Sequence, residues 1–260
     1  MKKIGFAGMG NMARAIVRGL IEKGVCAPAD LCAYAPHYDK LKAFADETGI
    51  VACKSLTEMA ERSDTVIMAV KPYMVERVLD ELRDSLKGKA LLSVAAGFTF
   101  ERYRPLVDPS TRVQYIMPNT PCSVGAGVLL FEEESSLTAD ELETARRLFG
   151  ALGIVETLPT HLMNAATAVS GCGPAFVAMM LEALADAGVK YGLPRATAYR
   201  LASQTAVGTG KMQLQTGMIP SAIKDGVCSP GGTTIRGVEA LEANGMRHAF
   251  MEAVKAAAEA

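Results

Sequence analysis

Tryptophan is absent from the 260 residues, aromatic side chains make up only 6% of them, and there are just three histidines. His37, His161 and His248 lie far apart, and the six cysteines (Cys26, Cys32, Cys53, Cys122, Cys172, Cys228) include no Cys-x-x-Cys pair. Metal-ligand spacing is therefore missing. We expect no structural or catalytic metal, and cysteines scattered in this way fit reduced thiols in a cytoplasmic protein. The formal net charge of −1 leaves no basic excess to hold a polyanion, so no nucleic-acid partner is expected. No segment is expected to supply the ~20 apolar residues of a membrane span. Lys2-Lys3 followed by Ile4–Gly10 faintly mimics a signal peptide, but Asn11 and Arg14 interrupt the apolar run early, and it reads as a buried strand.

What the chain has is apolar content: 50% hydrophobic residues against 21% charged, enough for one large domain or two ordinary ones with a real core. Lys3–Gly8 is a short apolar strand running into Gly8-Met9-Gly10-Asn11-Met12-Ala13. Beyond it Met12, Ala15, Ile16, Gly19 and Leu20 recur at helical spacing. Strand, G-x-G-x-x-A and helix is the order of a dinucleotide-binding unit. Gly8 allows the tight turn, Gly10 lets a diphosphate approach the backbone, and Ala13 lets the helix pack closely on the strand.

The next strand, Leu31–Ala35, ends in Tyr34-Ala35-Pro36-His37-Tyr38, without the Asp or Glu that commonly meets the ribose hydroxyls of NAD. Asp30 precedes the strand, at the wrong edge. With no carboxylate beside Ala35 to repel it, a 2′-phosphate is tolerated, and His37 and Lys40 are its candidate partners. NADPH is the expected cofactor, with NADH possible.

Strands at Ile50–Cys53, Thr65–Val70, Ala90–Val94, Arg112–Met117, Gly127–Phe131 and Ile154–Leu158 alternate with helices. Ser55–Glu58 reads as one helix start, and Thr138 with Glu141 as another. This alternation implies a mostly parallel sheet covered on both faces. Ligands of such sheets sit beyond the carboxyl ends of the strands. Those ends carry Gly8–Ala13, Val70-Lys71-Pro72, Ala95-Ala96-Gly97 and Met117–Pro121. Lys71 invites a reading as proton donor; a loop residue whose backbone lines the cofactor cleft is the reading preferred here.

After Pro159 the strand-like runs stop. His161–Val169, Pro174–Tyr191, Pro194–Gln215, Ile219–Val227, Thr234–Ala243 and Met246–Ala258 read as helices rich in Ala, Gly and Met. Their apolar faces exceed what one chain can cover, which suggests packing against a second subunit. Within them Ser229-Pro230-Gly231-Gly232-Thr233-Thr234 places a Pro-Gly turn against a helix start, a loop shaped to hold a small carboxylate.

At DGVCSPGGTTIRGVEALE (Asp225–Glu242) the chain resembles the pyrroline-5-carboxylate reductases. The likeness extends through GMGNMARAI at the start, AVKP at 69–72, SVAAG at 93–97, MPNTP at 117–121 and SGCGPAF at 170–176. It implies reduction of 1-pyrroline-5-carboxylate to proline, the last step of proline biosynthesis, by hydride transfer from NAD(P)H. It also implies an N-terminal Rossmann-like dinucleotide-binding domain (1–160) followed by an all-α dimerisation and substrate-loop domain (161–260), in a homo-oligomer built from dimers.

By the resemblance, Ser229 and the amides of Thr233 and Thr234 hold the substrate carboxylate, and the Thr234 hydroxyl meets the ring nitrogen. Val70-Lys71-Pro72, Ala96-Gly97 and Asn119 border the nicotinamide. Three positions depart from the family pattern. Cys172 replaces a usual Ser, Ile219-Pro220 a frequent His-Pro, and Leu56 an Asn that contacts cofactor in many members, so that contact does not carry over. A β-hydroxyacid dehydrogenase would place a lysine a few residues after the Gly-rich turn, where this chain has Pro174-Ala175-Phe176-Val177-Ala178 and no lysine until Lys190. A non-catalytic dinucleotide sensor would be expected to lose the substrate loop, which is intact.

Overall fold

The computed structural model describes residues 3–259, so Lys2 of the apolar N-terminal segment lies outside them. The strands are β1 (Ile4–Ala7), β2 (Leu31–Tyr34), β3 (Val51–Ala52), β4 (Thr65–Met68), β5 (Ala90–Ser93), β6 (Arg112–Pro118), β7 (Gly127–Ser135) and β8 (Gly153–Leu158). They form one eight-stranded sheet in the order β3-β2-β1-β4-β5-β6-β7-β8. All neighbours run parallel except β6 and β7. The residues joining β6 to β7 form a short 3-10 turn at Thr120–Val124, too brief for the crossover a parallel pair requires.

The helices are α1 (Asn11–Glu22), α2 (Tyr38–Thr48), α3 (Leu56–Glu61), α4 (Val75–Leu82), α5 (Phe100–Tyr103), α6 (Ala139–Gly150) and α7 (Met163–Ser170), then α8 (Gly173–Lys190), α9 (Arg195–Thr216), α10 (Pro220–Gly226), α11 (Thr233–Ala243) and α12 (Met246–Ala258). Alternate residues of each strand face opposite layers. Phe6, Ile67 and Leu92 pack with Ile16, Phe44 and Leu148 of α1, α2 and α6. Ala7, Val66 and Leu91 pack with Met59, Leu79 and Tyr103 of α3, α4 and α5. The expected sheet, covered on both faces, is what forms.

The chain divides into two compact units, one running to Gly171 and the other starting at Cys172. The expected boundary fell at 160/161. Beyond that division α7 still packs on the sheet: Met163 is buried with Tyr115 of β6 and Leu130 of β7.

In the helical unit α8 and α9 pack through small residues. Ala185, Ala198 and Ala202 are buried, and a Cβ added at Gly188 would sit 3.4 Å from that of Ala198. The remaining apolar surface faces outward. The 22-residue α9 buries only Ala198 and Ala202, and α11 and α12 bury no residue.

One expectation requires correction. The stretch Thr160–Lys190 is long and apolar enough, by length and composition, to cross a membrane, and only 11% of its apolar window is buried. The stretch is two helices, α7 ending at Ser170 and α8 presenting Val177, Met179 and Leu184 outward.

Candidate active site

The carboxyl ends of β1, β2, β4 and β5 lie in register at one edge of the sheet, with Ala7 opposite both Tyr34 and Met68, and Met68 opposite Ser93. The strand order reverses at β1, where β2 lies on one side and β4 on the other, so the crevice between the β1 and β4 ends is the switch point of the sheet. Gly8 fills it. Its φ is +102°, and a Cβ there would come within 2.8 Å of the Ala69 carbonyl oxygen and 2.9 Å of Val70. Only glycine allows that approach.

Gly10 then caps α1 without a side chain, and a Cβ added to it would meet nothing within 4 Å. The first helical hydrogen bond runs from Arg14 N to Gly10 O, which leaves the amides of Asn11, Met12 and Ala13 without helical acceptors. No acidic residue stands in the first turn. Open space, unpaired N–H groups and absent negative charge fit a dinucleotide diphosphate. Ala13 is wholly buried against the strand.

Beyond β2, Ala35 is half-buried, and Pro36, His37 and Lys40 are exposed at the start of α2. Arg14, named in the sequence only as a break in the apolar run, bridges this region. Its Nε donates to Met9 O at 3.3 Å, Nη2 to Lys40 O at 3.5 Å, and its guanidinium lies 5.0 Å from the Phe44 ring centroid. Leu56 is buried in the core. Lys71 is exposed in extended backbone ahead of a 3-10 turn begun by Pro72, and Val70 is half-buried against the core.

Ala95–Phe98 form a tight turn closed by Phe98 N donating to Ala95 O at 3.2 Å, with Ala96 and Gly97 exposed at its tip. Asn119 is buried. Its Nδ2 donates to Ser170 O at 2.9 Å and its Oδ1 accepts from Val128 N at 2.8 Å, so its amide ties the end of β6 to the end of α7.

In the helical unit, Pro230 and Gly231 occupy the middle of a turn in which Gly232 N donates to Ser229 O at 3.0 Å. Gly231 has φ +69°, the conformation that a Pro-Gly turn needs at its third position. α11 starts at Thr233 with Gly232 as a side-chain-free cap and no acidic residue in its first turn. Ser229, Thr233 and Thr234 are exposed, and Arg236 Nη2 donates to Gly231 O at 3.3 Å. The sheet unit thus gathers Gly8–Ala13, Ala35, Val70–Pro72 and Ala96-Gly97 along one edge, and the helical unit gathers Ser229, Thr233 and Thr234 in one turn.

Two cysteines far apart in sequence prove to be neighbours. The parallel pairing of β2 with β3 lays Cys53 beside Cys32, whose Sγ is 3.3 Å from Ser63 Oγ. The neighbouring Cys32 thiol, together with burial, pushes the Cys53 pKa far up, and the Cys53 thiol in turn lowers the Cys32 pKa. Burial pushes the Cys122 thiol up to about 11.

Residues 3–97 match the family described as NADP oxidoreductase, coenzyme F420-dependent, which makes the sheet unit that of a nicotinamide-type oxidoreductase. Residues 160–260 match the pyrroline-5-carboxylate reductase dimerisation family. A pyrroline-5-carboxylate reductase of Escherichia coli (strain K12) is 41% identical over 254 residues, covering 97% of this chain and 94% of that protein. One from Treponema pallidum (strain Nichols) is 41% identical over 258 residues, with 98% of each covered. A crystal structure of Plasmodium falciparum pyrroline carboxylate reductase with NADP bound superposes with a TM-score of 0.89 at 32% identity, covering 99% of this chain and 96% of that one. The chain belongs to the pyrroline-5-carboxylate reductase family.

Proposed function

We propose that the chain reduces the C=N bond of 1-pyrroline-5-carboxylate to give L-proline, with NADPH as the preferred reductant. The observation that carries this is the Ser229–Gly232 turn set against the cap-free start of α11, in a chain whose sheet unit has a dinucleotide switch point. A bound reduced nicotinamide supplies the hydride. The amides at the α11 start and the Ser229 hydroxyl hold the substrate carboxylate. Thr234 Oγ1 holds the ring nitrogen, which arrives protonated and electrophilic, so orientation rather than a strong general acid is what the residues need to supply.

In the sheet unit the amides of Asn11, Met12 and Ala13 hold the diphosphate over Gly8 and Gly10. Ala35 leaves room for a 2′-phosphate that His37 and Lys40 neutralise, and the NADP-bound Plasmodium falciparum relative supports that preference. The backbone of Val70-Lys71-Pro72 and the Ala96-Gly97 tip border the nicotinamide. Asn119 acts there through its hold on Ser170. The outward apolar faces of α8, α9 and α12 are those of a homodimer, in keeping with the dimerisation family matched, and the unpaired thiols suit a reducing cytoplasm.

The reading is tested by following NADPH oxidation with 1-pyrroline-5-carboxylate, alongside 3-hydroxyacids assayed in the oxidative direction. Turnover of the cyclic imine alone is expected. Activity confined to the hydroxyacids would overturn it.

A further inference from the structure

Glu132 is a carboxylate inside the sheet unit, only 1% exposed. Among the described residues no Lys, Arg or His forms an ion pair with it. Burying a carboxylate without a cation is costly unless both oxygens are hydrogen-bonded. Both are. Oε2 accepts from Phe100 N at 2.7 Å, and Oε1 accepts from the Thr160 hydroxyl at 2.7 Å. Phe100 N is the first amide of α5, whose own cap residue Thr99 makes no side-chain bond. Glu132 therefore does from β7 what a local cap would do, 32 residues away in sequence.

The segment so held begins at the turn Ala95–Phe98. Further contacts hold that turn and the helix after it. Gly97 N donates to Tyr115 Oη at 3.0 Å, Arg102 Nη1 donates to Gly97 O at 3.1 Å, and Tyr103 Oη lies 2.7 Å from Ser93 Oγ while its ring packs tilted against Phe98, centroids 4.6 Å apart. The exposed tip Ala96-Gly97, with Gly97 at φ +68°, is thus tied to this frame through the Gly97 backbone, while Ala96 is left free of such bonds. Of the groups anchoring it, Glu132 is the one buried carboxylate, and a long two-oxygen acceptor is what can take donors from two separate segments at once.

We propose that Glu132 is a positioning residue for the nicotinamide end of the cofactor. By fixing the α5 start, it sets the height of the Ala96-Gly97 tip at the sheet edge. The inference rests on the proposed function only in taking that tip to border the nicotinamide.

The test compares binding of NADPH with binding of 2′-phospho-ADP-ribose, which lacks the nicotinamide, by calorimetry on full-length protein. Glu132→Ala is expected to weaken NADPH by about tenfold and to lower kcat, because a misplaced ring loses near-attack geometry. The affinity for 2′-phospho-ADP-ribose should stay unchanged. Glu132→Gln should restore both, since its Oε1 can accept from Phe100 N and its Nε2 can donate to the Thr160 oxygen. Thr160→Val removes the other bond and should lower stability while leaving NADPH affinity alone. Should the alanine chain not fold, Glu132→Asp, charged but one methylene shorter, must show the same split between the two ligands. Equal weakening of both ligands, no weakening of either, or an equal effect from Thr160→Val would overturn the inference. A wild-type chain that binds both ligands yet does not turn over the cyclic imine would count against the functional reading and leave this binding split standing.

Discussion

Arg112 and Glu141 form a two-pronged ion pair, with Nε donating to Oε2 and Nη2 to Oε1, each at 2.7 Å. Glu141 also closes the capping box of α6 by accepting from Thr138 N at 3.0 Å, while Arg112 reaches Gly88 O and Ser110 O. One contact therefore joins β6, the turn before it, the loop leading into β5 and the start of α6. The Arg112 guanidinium holds the Glu141 carboxyl well below the usual carboxylate range, at about 2, with the Thr138 amide adding to the effect.

Because that pKa is lower folded than unfolded, the pair stabilises the protein above about pH 4.5 and loses its contribution as the pH falls towards about 2. Glu141→Gln should cost ~1.5–3 kcal/mol at neutral pH, the range for hydrogen bonds to a charged group. Denaturant unfolding at several pH values should show the gap between wild type and variant closing as the medium is acidified. A gap that stays constant with pH would mean that the charge contributes nothing.

The sheet and its switch point were legible in the sequence because apolar strands and helical periodicity are local signals, and Gly8–Ala13 lies between them. The elements that escaped notice are short or masked by charge. α5 is four residues long, less than a pattern can register. β7 was expected to stop at Phe131, yet the strand continues through the charged Glu132-Glu133-Glu134 to Ser135 and turns Glu132 inward. Ser55 does cap α3, but the Glu58 carboxylate returns to Lys54 N rather than to the cap residue itself. The Cys32–Cys53 pairing depends on strand register, which nothing in the spacing of two cysteines reveals.

Ala35 follows β2 directly, with no carboxylate beside the place where an adenosine ribose sits in this fold. Ala35→Asp is expected to repel a 2′-phosphate and to raise KM for NADPH more than KM for NADH. Steady-state kinetics with both cofactors decides it. An equal rise for both would put the ribose elsewhere.

Thr234→Val keeps the side-chain shape while removing the hydroxyl proposed to meet the substrate nitrogen. Loss of a hydrogen bond to a charged group is worth ~1.5–3 kcal/mol, or about ten- to a hundredfold in kcat/KM. NADPH affinity, measured by fluorescence titration, should hardly move. Unchanged turnover would reduce the hydroxyl to a bystander at the start of α11.

Cys228 directly precedes Ser229 in the turn before α11 and is part-exposed, as is Cys172, while the other four cysteines are buried. A loop that attracts a carboxylate through unpaired amides also favours a thiolate, which is the reactive form of the side chain. Small alkylating reagents should therefore inactivate the enzyme through Cys228, and a proline-like carboxylate ligand should slow the inactivation. Cys228→Ala should resist the reagent, and Cys172→Ala should remain sensitive, which separates the two accessible thiols. Mass spectrometry of the modified chain identifies the labelled residue. Slow labelling that no ligand alters, or inactivation that persists in Cys228→Ala, would mean that the thiol faces its own helices as a small apolar side chain and takes no part in the carboxylate turn.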